Sequence, residues 1–305
     1  MKICVVGCGA IGSLFAGHLA RLEDVEVFAF DVNRAHTDQI RKHGLRLSGE
    51  ADFTSQMMAT SDPQELPQCD YGIVVTKSMH TRSAIEATAH AFSNGAVCSV
   101  QNGAGNEEIL AEFAKFVIRG TTFPAGHLVE PGHVCYDIVG DTWIGPFEPS
   151  ETSLDLVEKL ADTITRAGMN TIAMKDARGA QWTKLIFNAS TNPVGALTLL
   201  HHGAATFFEP TGVLFDQLID EGLAVAEALG IPLDSDPKAM VRKAANAPGK
   251  HNASMLQDII AGRQTEVDFL NGAVVRWGEE TGVPTPLNRC MWALVKGLEH
   301  SWTNP

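Results

Sequence analysis

Nowhere does the sequence hold an apolar run approaching the ~18–20 residues that a membrane span requires, so no membrane partner is expected. Paired cysteine ligands are missing too: Cys4, Cys8, Cys69, Cys98, Cys135 and Cys290 are scattered, without a CxxC pair. That argues against the dense disulfide framework of a short secreted chain and against a zinc site with paired ligands. The thiols are expected to be reduced and mostly buried, and no metal is expected. Positive charge is in deficit, with 23 Lys and Arg against 36 Asp and Glu and a formal net charge of −13. A surface of that sign opposes phosphate neutralisation, so no nucleic-acid partner is expected. An anionic small substrate is still compatible, because one or two well-placed cations dominate a cleft locally. Neither an internal repeat nor a low-complexity segment is present. The opening Met1-Lys2-Ile3 runs almost at once into Gly7, unlike a secretory signal with its basic stretch, long apolar core and cleavage site. A cytoplasmic location is the expectation.

What is present begins with size. A chain of 305 residues with 45% hydrophobic and 19% charged residues is longer than a typical single domain and can bury real cores. Lys2–Val6 reads as a buried strand, Gly7–Gly12 as a tight turn, and about Ile11–Leu22 as a helix with Leu14, Phe15, His18 and Leu19 on one face. Val25–Phe30 is a second strand ending at Asp31, followed by a helix from Asn33 to His43 that Gly44 stops. Tyr71–Thr76 and Val97–Val100 read as further strands, with a helix over Thr81–Ala91. Alternation of this kind predicts a parallel, doubly wound Rossmann-like sheet covered on both faces. From Arg119 to Phe147, short β-like runs broken by Pro124, Pro131-Gly132 and Gly145-Pro146 predict small antiparallel strands that finish this sheet. Ser153–Ala167 is a helix with a serine start and Gly168 at its end, and Thr171–Met174 a short strand. Everything downstream reads helical. The expected organisation is α/β: residues 1–176 form a dinucleotide-binding domain and residues 177–305 an all-helical substrate domain.

Gly7-Cys8-Gly9-Ala10-Ile11-Gly12 fits G-x-G-x-x-G, and it follows a strand and opens a helix, the context that makes the motif informative. Gly7 permits the tight turn, Gly9 lets a pyrophosphate approach the backbone, and Gly12 allows close helix–strand packing. The helix N-terminus then offers free N–H groups and a positive dipole end to the phosphates. A glycine-rich turn without a ligand is the plain alternative. Asp31 stands about 20 residues beyond the third glycine, where an acid accepts hydrogen bonds from the ribose hydroxyls and repels a 2′-phosphate. It predicts NAD(H) over NADP(H), unless it merely caps a helix. Arg34 nearby is able to hold a phosphate.

In the second half, Lys184, Asn188 and Asn192 recur at i, i+4 and i+8 beside Trp182, Leu185 and Ile186. They lie on one helix face, one turn apart. A lysine and two amides bordering a buried surface make a poor core and a good wall of donors for a carboxylate and a carbonyl. A solvated polar stripe is the alternative. Glu266 shares a helical spacing with Leu270, Ala273 and Trp277, so it needs a partner such as a lysine, or it is a first-turn glutamate favoured by the helix dipole. His251-Asn-Ala-Ser254 reads as a helix start, with Ser254 either a cap or a ligand contact.

These residues together resemble the ketopantoate reductase family, the 2-dehydropantoate 2-reductases, over nearly the whole chain. The marks are the glycine turn, Lys77 after the third long strand, Gln101-Asn102-Gly103, Thr121-Thr122, and Trp182-x-Lys184-Leu185-x-x-Asn188. To these add Ser254-Met-Leu-Gln-Asp258 and Thr265-Glu266-Val-Asp268-x-x-Asn271-Gly272. The resemblance implies hydride transfer from a nicotinamide cofactor to the ketone of a 2-oxo acid. It implies that Lys184 is the general acid, that Asn102 sits by nicotinamide and substrate, and that Asn188, Asn192 and Ser254 hold carboxylate and hydroxyl groups. Glu266 would border cofactor and substrate and act with Lys184, while Lys77 and Gly126 would line the cofactor cleft. Family members that use NADPH commonly carry an arginine just beyond the second strand, where this chain has Asp31-Val32-Asn33. NAD(H) is therefore expected, with NADP(H) left open by the resemblance. An opine-type dehydrogenase acting on an imine is the rival enzyme, and would more naturally use a histidine such as His127, His133, His201 or His202. A dinucleotide sensor without turnover is the rival from another class. A homodimer is compatible with the long helical second half.

Overall fold

The computed structural model describes residues 1–246 and 252–302; His251, read above with the Ser254 segment, lies outside them. In the first part β1 (Lys2–Val6), α1 (Ala10–Leu19), β2 (Glu26–Phe30), α2 (Arg34–His43), β3 (Leu45–Gly49), β4 (Phe53–Ser55) and β5 (Met58–Thr60) follow one another. Then come β6 (Tyr71–Val74), α3 (Thr81–Thr88), β7 (Ala96–Ser99), α4 (Asn106–Ala111) and β8 (Phe116–Thr122). The part ends with β9 (Ala125–Glu130), β10 (His133–Ile138), β11 (Thr142–Pro146), α5 (Leu154–Arg166) and β12 (Thr171–Ala173).

Eight of these strands form one sheet in the order β12-β11-β8-β7-β6-β1-β2-β5. All pairings are parallel except β11 against β8. Because successive side chains of a strand point to opposite faces, the unbroken apolar run of β1 feeds two cores. Ile3 and Val5 join Leu14, Phe15 and Leu160 on one side, and Cys4 and Val6 join Phe30, Ile85 and Phe92 on the other. The chain order reverses between β1 and β6, with β2 and β5 on one side and β7 and β8 on the other. That reversal is the switch point at which open α/β sheets bind ligands, beyond the strands' carboxyl ends.

Two expectations need correction. The strands after Arg119 do not all finish this sheet: β8 and β11 do, but β9 and β10 leave it and join β3 and β4 in a second sheet, ordered β4-β3-β10-β9. The reason is α1. Its residues Gly12 to Leu19 are all buried, so one face lies on the main sheet and the other needs a second cover. Val134 and Tyr136 of β10 supply it, with the Tyr136 ring edge-on to His18 at 5.9 Å. The helix is also shorter than its pattern suggested and ends at Leu19.

From Arg178 onward the described residues are helical: α6 (Arg178–Thr198), α7 (His202–Phe207), α8 (Glu209–Ala228), α9 (Pro237–Ala245), α10 (Ser254–Ile260), α11 (Asn271–Thr281) and α12 (Pro286–Ser301). Their core gathers Trp182, Leu185, Ile186, Phe215, Leu218 and Val274, and Trp182 meets Trp277 at 5.5 Å. Two compact units result: Met1–Gln101 with Asn106–Ala177, and the four residues Asn102–Gly105 with the chain from Arg178 on. Among the described residues no helix is long and apolar enough to cross a membrane.

Candidate active site

In the first unit the glycine turn joins β1 to α1 at the switch point, and each glycine answers to a different constraint. Gly7 has φ +91°, and a Cβ there would stand 2.7 Å from the Thr76 backbone nitrogen at the end of β6. Its N–H donates to the Phe30 carbonyl at 2.8 Å, tying the turn to the end of β2. Gly12 is closed in more tightly, since a Cβ would lie 2.0 Å from the Gly7 carbonyl oxygen. Gly9 differs from both: a Cβ added there meets nothing within 4 Å. It is the N-cap of α1 and offers no side chain to the first turn. Open space beside uncapped amides at the positive end of a helix is what an anionic pyrophosphate requires, so the residues fit a dinucleotide. Cys8 is buried under the turn, and Ala10 and Ile11 form its half-buried outer edge.

Asp31 follows β2 directly, and its Oδ1 accepts the Asn33 N–H at 2.8 Å. It therefore braces a turn and does not cap α2; the N-cap is Asn33, whose side chain accepts from His36 N. Lys77 follows β6 at the head of the 3-10 turn Ser78–His80. Beneath it lies a buried polar cluster that pattern reading had not picked out. Gln101 Nε2 donates to the Thr76 carbonyl at 2.9 Å and to Thr81 Oγ1 at 2.7 Å, Thr81 Oγ1 donates to Asn106 Oδ1, and Asn106 Nδ2 donates to Ser78 Oγ. His36 is a second hidden brace. Its Nδ1 accepts from Gly132 N at 3.0 Å, which leaves Nε2 to carry the proton towards Ser13 Oγ at 3.3 Å. Burial pushes this imidazole down, keeping it neutral, against the pull of Asp31. Gly126 lies on β9, where a Cβ would strike the Cys135 carbonyl at 2.5 Å and reach Leu14 of α1 at 3.6 Å.

The second unit gathers the polar side chains of α6. Asn188 and Asn192 are buried and Lys184 half-buried on that helix, with Leu185, Ile186 and Ala189 packed beside them. Among the described residues neither asparagine amide makes a side-chain hydrogen bond, so both keep donors and acceptors for something else. Ser254 is exposed at the first turn of α10 and does not cap it; the N-cap is Ala253. Ala253 Cβ stands 3.7 Å from where a Cβ on Gly195 of α6 would be, which sets Ser254 near the Asn192 end of the helix.

Glu266 is buried, but it does not ride on a helix as its spacing suggested. It lies in a run of turns, and α11 begins only at Asn271. The Thr265 N–H and hydroxyl both donate to Glu299 Oε1, at 2.8 and 2.6 Å, holding the chain out of helical register. Asp268 is fixed from the same helix α12, accepting from Trp292 Nε1 at 2.7 Å and pairing with Lys296 at 2.9 Å. Thus braced, Glu266 Oε2 accepts from Asn102 Nδ2 at 3.3 Å. The Asn102 segment is seated by Ala104 N donating to the Phe269 carbonyl at 3.1 Å, and Gly103 is needed at φ +83° because a Cβ would meet that same oxygen at 2.3 Å.

The role of Asn271, one of the marks of the resemblance, is visible only in the structure. Pro193 interrupts α6 and leaves the Ala189 carbonyl without its i+4 donor. Asn271 Nδ2 takes that place at 2.8 Å, and it also donates to Asn288 Oδ1 at 3.0 Å. Asn288 in turn donates through Nδ2 to Glu221 Oε2 at 2.8 Å. A buried polar group left unpaired costs about 1–3 kcal/mol, and Asn271 spares the Ala189 carbonyl that cost.

Electrostatics pick out one group. Burial pushes the Lys184 ammonium down to about 8, and the Glu266 carboxylate opposes a further fall. Such a lysine is mostly charged at neutral pH yet releases its proton readily. If Lys184 donates a proton in the reaction, kcat/KM should fall as pH rises through about 8, because the acid form is lost there. In Glu266→Gln the opposing carboxylate is gone and the fall moves to lower pH. A profile of the variant that coincides with the parent's contradicts this. The histidines named for a rival chemistry are engaged elsewhere: His127 with Asp137, His133 with Ser48, His201 as cap of α7, and His202 with the Val241 carbonyl.

A Rossmann-type unit with an open glycine turn, and a helical unit with a depressed lysine beside a carboxylate and amides, define a dinucleotide-dependent oxidoreductase. The family model described as "Ketopantoate reductase PanE/ApbA" matches residues 3–149, and "Ketopantoate reductase PanE/ApbA C terminal" matches residues 176–299. The chain belongs to the ketopantoate reductase family. It is 34% identical over 298 residues to the 2-dehydropantoate 2-reductase of Archaeoglobus fulgidus, covering 98% of each. Against that of Pyrococcus horikoshii it is 34% identical over 301 residues, again covering 98% of each. The crystal structure of a PanE/ApbA family ketopantoate reductase from Ralstonia eutropha JMP134 superposes with a TM-score of 0.90 at 31% identity over 100% of both chains. A ternary structure of D-mandelate dehydrogenase with NADH and anilino(oxo)acetate gives 0.90 at 25% identity over 99% of both.

Proposed function

We propose that this chain reduces the ketone of a 2-oxo acid, 2-dehydropantoate or a close analogue, to the 2-hydroxy acid. Curated relatives of nearly equal length are named for that reaction. The observation that carries the reading is Lys184, lowered to about 8 beside Glu266. A reduced nicotinamide dinucleotide, when bound, supplies the hydride. Lys184 Nζ supplies the proton that completes the hydroxyl, and its charge stabilises the growing alkoxide more than the starting carbonyl. Glu266 keeps that amine charged and holds the Asn102 amide, which we place by the reacting carbonyl. Asn188, Asn192 and Ser254 hold the substrate's carboxylate and hydroxyl through amide and hydroxyl groups. The amides from Gly9 to Gly12 receive the pyrophosphate, with Lys77 and Gly126 lining the same cleft.

For the cofactor we favour NADH. The Asp31 carboxylate accepts from ribose hydroxyls and repels a 2′-phosphate at the same place, and the D-mandelate dehydrogenase of like fold has a ternary structure with NADH. The test is a panel of 2-oxo acids assayed with NADH and NADPH, following the loss of nicotinamide absorbance. We expect branched, hydroxylated 2-oxo acids to turn over, faster with NADH. Failure of every 2-oxo acid removes the reading, and a clear NADPH preference removes the role given to Asp31.

A further inference from the structure

The second sheet carries a feature that the proposed reaction does not use. On its outer face, away from Val134, Tyr136 and α1, three side chains of different donor chemistry converge. A ring nitrogen of His127, Cys135 Sγ and a carboxylate oxygen of Asp137 all lie within 4.8 Å of one another. The topology explains how. In the antiparallel ladder of β9 and β10, His127 stands directly opposite Cys135. Asp137 is two residues further along β10 and so returns to the same face. There the ladder shifts register between Tyr136 and Ile138, leaving Asp137 without a cross-strand partner. Bulges of this kind re-aim a side chain, and the Asp137 carboxylate reaches across to His127 Nδ1 at 2.7 Å. On the other flank Ser48 of β3 is paired with Cys135 in register, and its hydroxyl lies 2.8 Å from His133 Nε2.

We propose that His127, Cys135 and Asp137 form a binding site for a borderline-soft divalent cation of the Zn2+ type. Thiolate with imidazole selects such ions over Mg2+ and Ca2+, which prefer all-oxygen shells. With bonds of about 2.0–2.3 Å, tetrahedral ligands stand roughly 3.3–3.6 Å apart, and small side-chain rotations bring the three atoms there without moving either strand. On binding, Cys135 releases its thiol proton to solvent, and His127 presents Nδ1 by carrying its proton on Nε2. Ser48, next to Cys135 in the ladder, then accepts from His133 Nε2 and turns its own proton to the thiolate, as outer-shell groups commonly do. Three protein ligands leave the fourth position to water. The ligands come from two strands, with Cys135 and Asp137 separated by Tyr136 alone, so the paired CxxC spacing that marks zinc sites in sequence never arises.

The test is titration of the reduced protein with Co2+ and then Zn2+. One equivalent of Co2+ should give thiolate charge-transfer absorption in the near ultraviolet, and Zn2+ should displace it. Cys135→Ser should abolish that absorption, and His127→Ala and Asp137→Ala should each weaken binding by at least about tenfold. The three positions are on the outer face, so the metal-free variants should unfold at the parent's temperature. Zn2+ should raise the unfolding temperature of the parent alone, since a ligand that binds only the native state stabilises it. No charge-transfer band, or a band and a thermal shift that survive Cys135→Ser, overturns the proposal. In that case the His127–Asp137 contact is an ordinary surface pair.

Discussion

Replacing Lys184 by alanine is expected to lower kcat by about 10²–10⁴-fold, the usual contribution of a positioned general acid. The size follows from what else is within reach. The amides of Asn102, Asn188 and Asn192 donate hydrogen bonds but not protons. Without the ammonium, the alkoxide must take its proton from water and loses its nearby positive charge. Dinucleotide affinity, read by titrating the cofactor's fluorescence, should stay within about threefold, because the glycine turn belongs to the other compact unit. Lys184→Met serves as a second variant, keeping the length and apolar stem of the side chain without its charge. Turnover close to the parent's in both variants would remove the assigned proton donor. It would also favour a protein that senses the dinucleotide without reacting.

The second large effect separates two glycines that the motif treats alike. Gly12→Ala places a methyl 2.0 Å from the Gly7 carbonyl oxygen, so α1 must lift away from β1. Overpacking of that kind costs about 1–3 kcal/mol or more, and both the unfolding temperature and cofactor binding should fall. Gly9→Ala adds the same methyl into open space. Gly9 has φ −67°, which alanine adopts freely, so the unfolding temperature should match the parent's. Cofactor binding should nonetheless weaken by at least about tenfold, or ~1.4 kcal/mol, because the methyl occupies the approach of the pyrophosphate. Should Gly9→Ala bind NADH as tightly as the parent, the phosphate does not lie on this turn.

The contrast also marks how far a sequence can be read. Local signals carried well: the strand–turn–helix around Gly9, the Ser153 cap of α5 with its hydrogen bond from Leu156 N, and the row of Lys184, Asn188 and Asn192 on α6. Each depends on residues a few positions apart. What was illegible depends on partners far along the chain. β4 and β5 are three residues long and carry no alternation to speak of, and β3 is a strand because β10 pairs with it. Glu266 has helical spacing to Leu270, Ala273 and Trp277, yet Glu299 captures Thr265 and keeps its segment in turns. Gln101 and Asn271 gave no hint of their work, since their meaning lies in Thr76 and Thr81 for one and in the carbonyl freed by Pro193 for the other.

Asn102 to Gly105 count with the helical unit although the chain on both sides of them belongs to the other. The polypeptide therefore passes from one unit to the other three times, not once. A protein engineer who cuts at Ala177 and expresses the downstream half obtains a fragment stripped of part of its own interior. Its Glu266 carboxylate lacks the Asn102 amide, and the Phe269 carbonyl lacks the Ala104 N–H. Domain swaps among relatives meet the same obstacle: a graft that keeps this site whole has to carry a four-residue loop from the front of the chain along with everything behind Ala177.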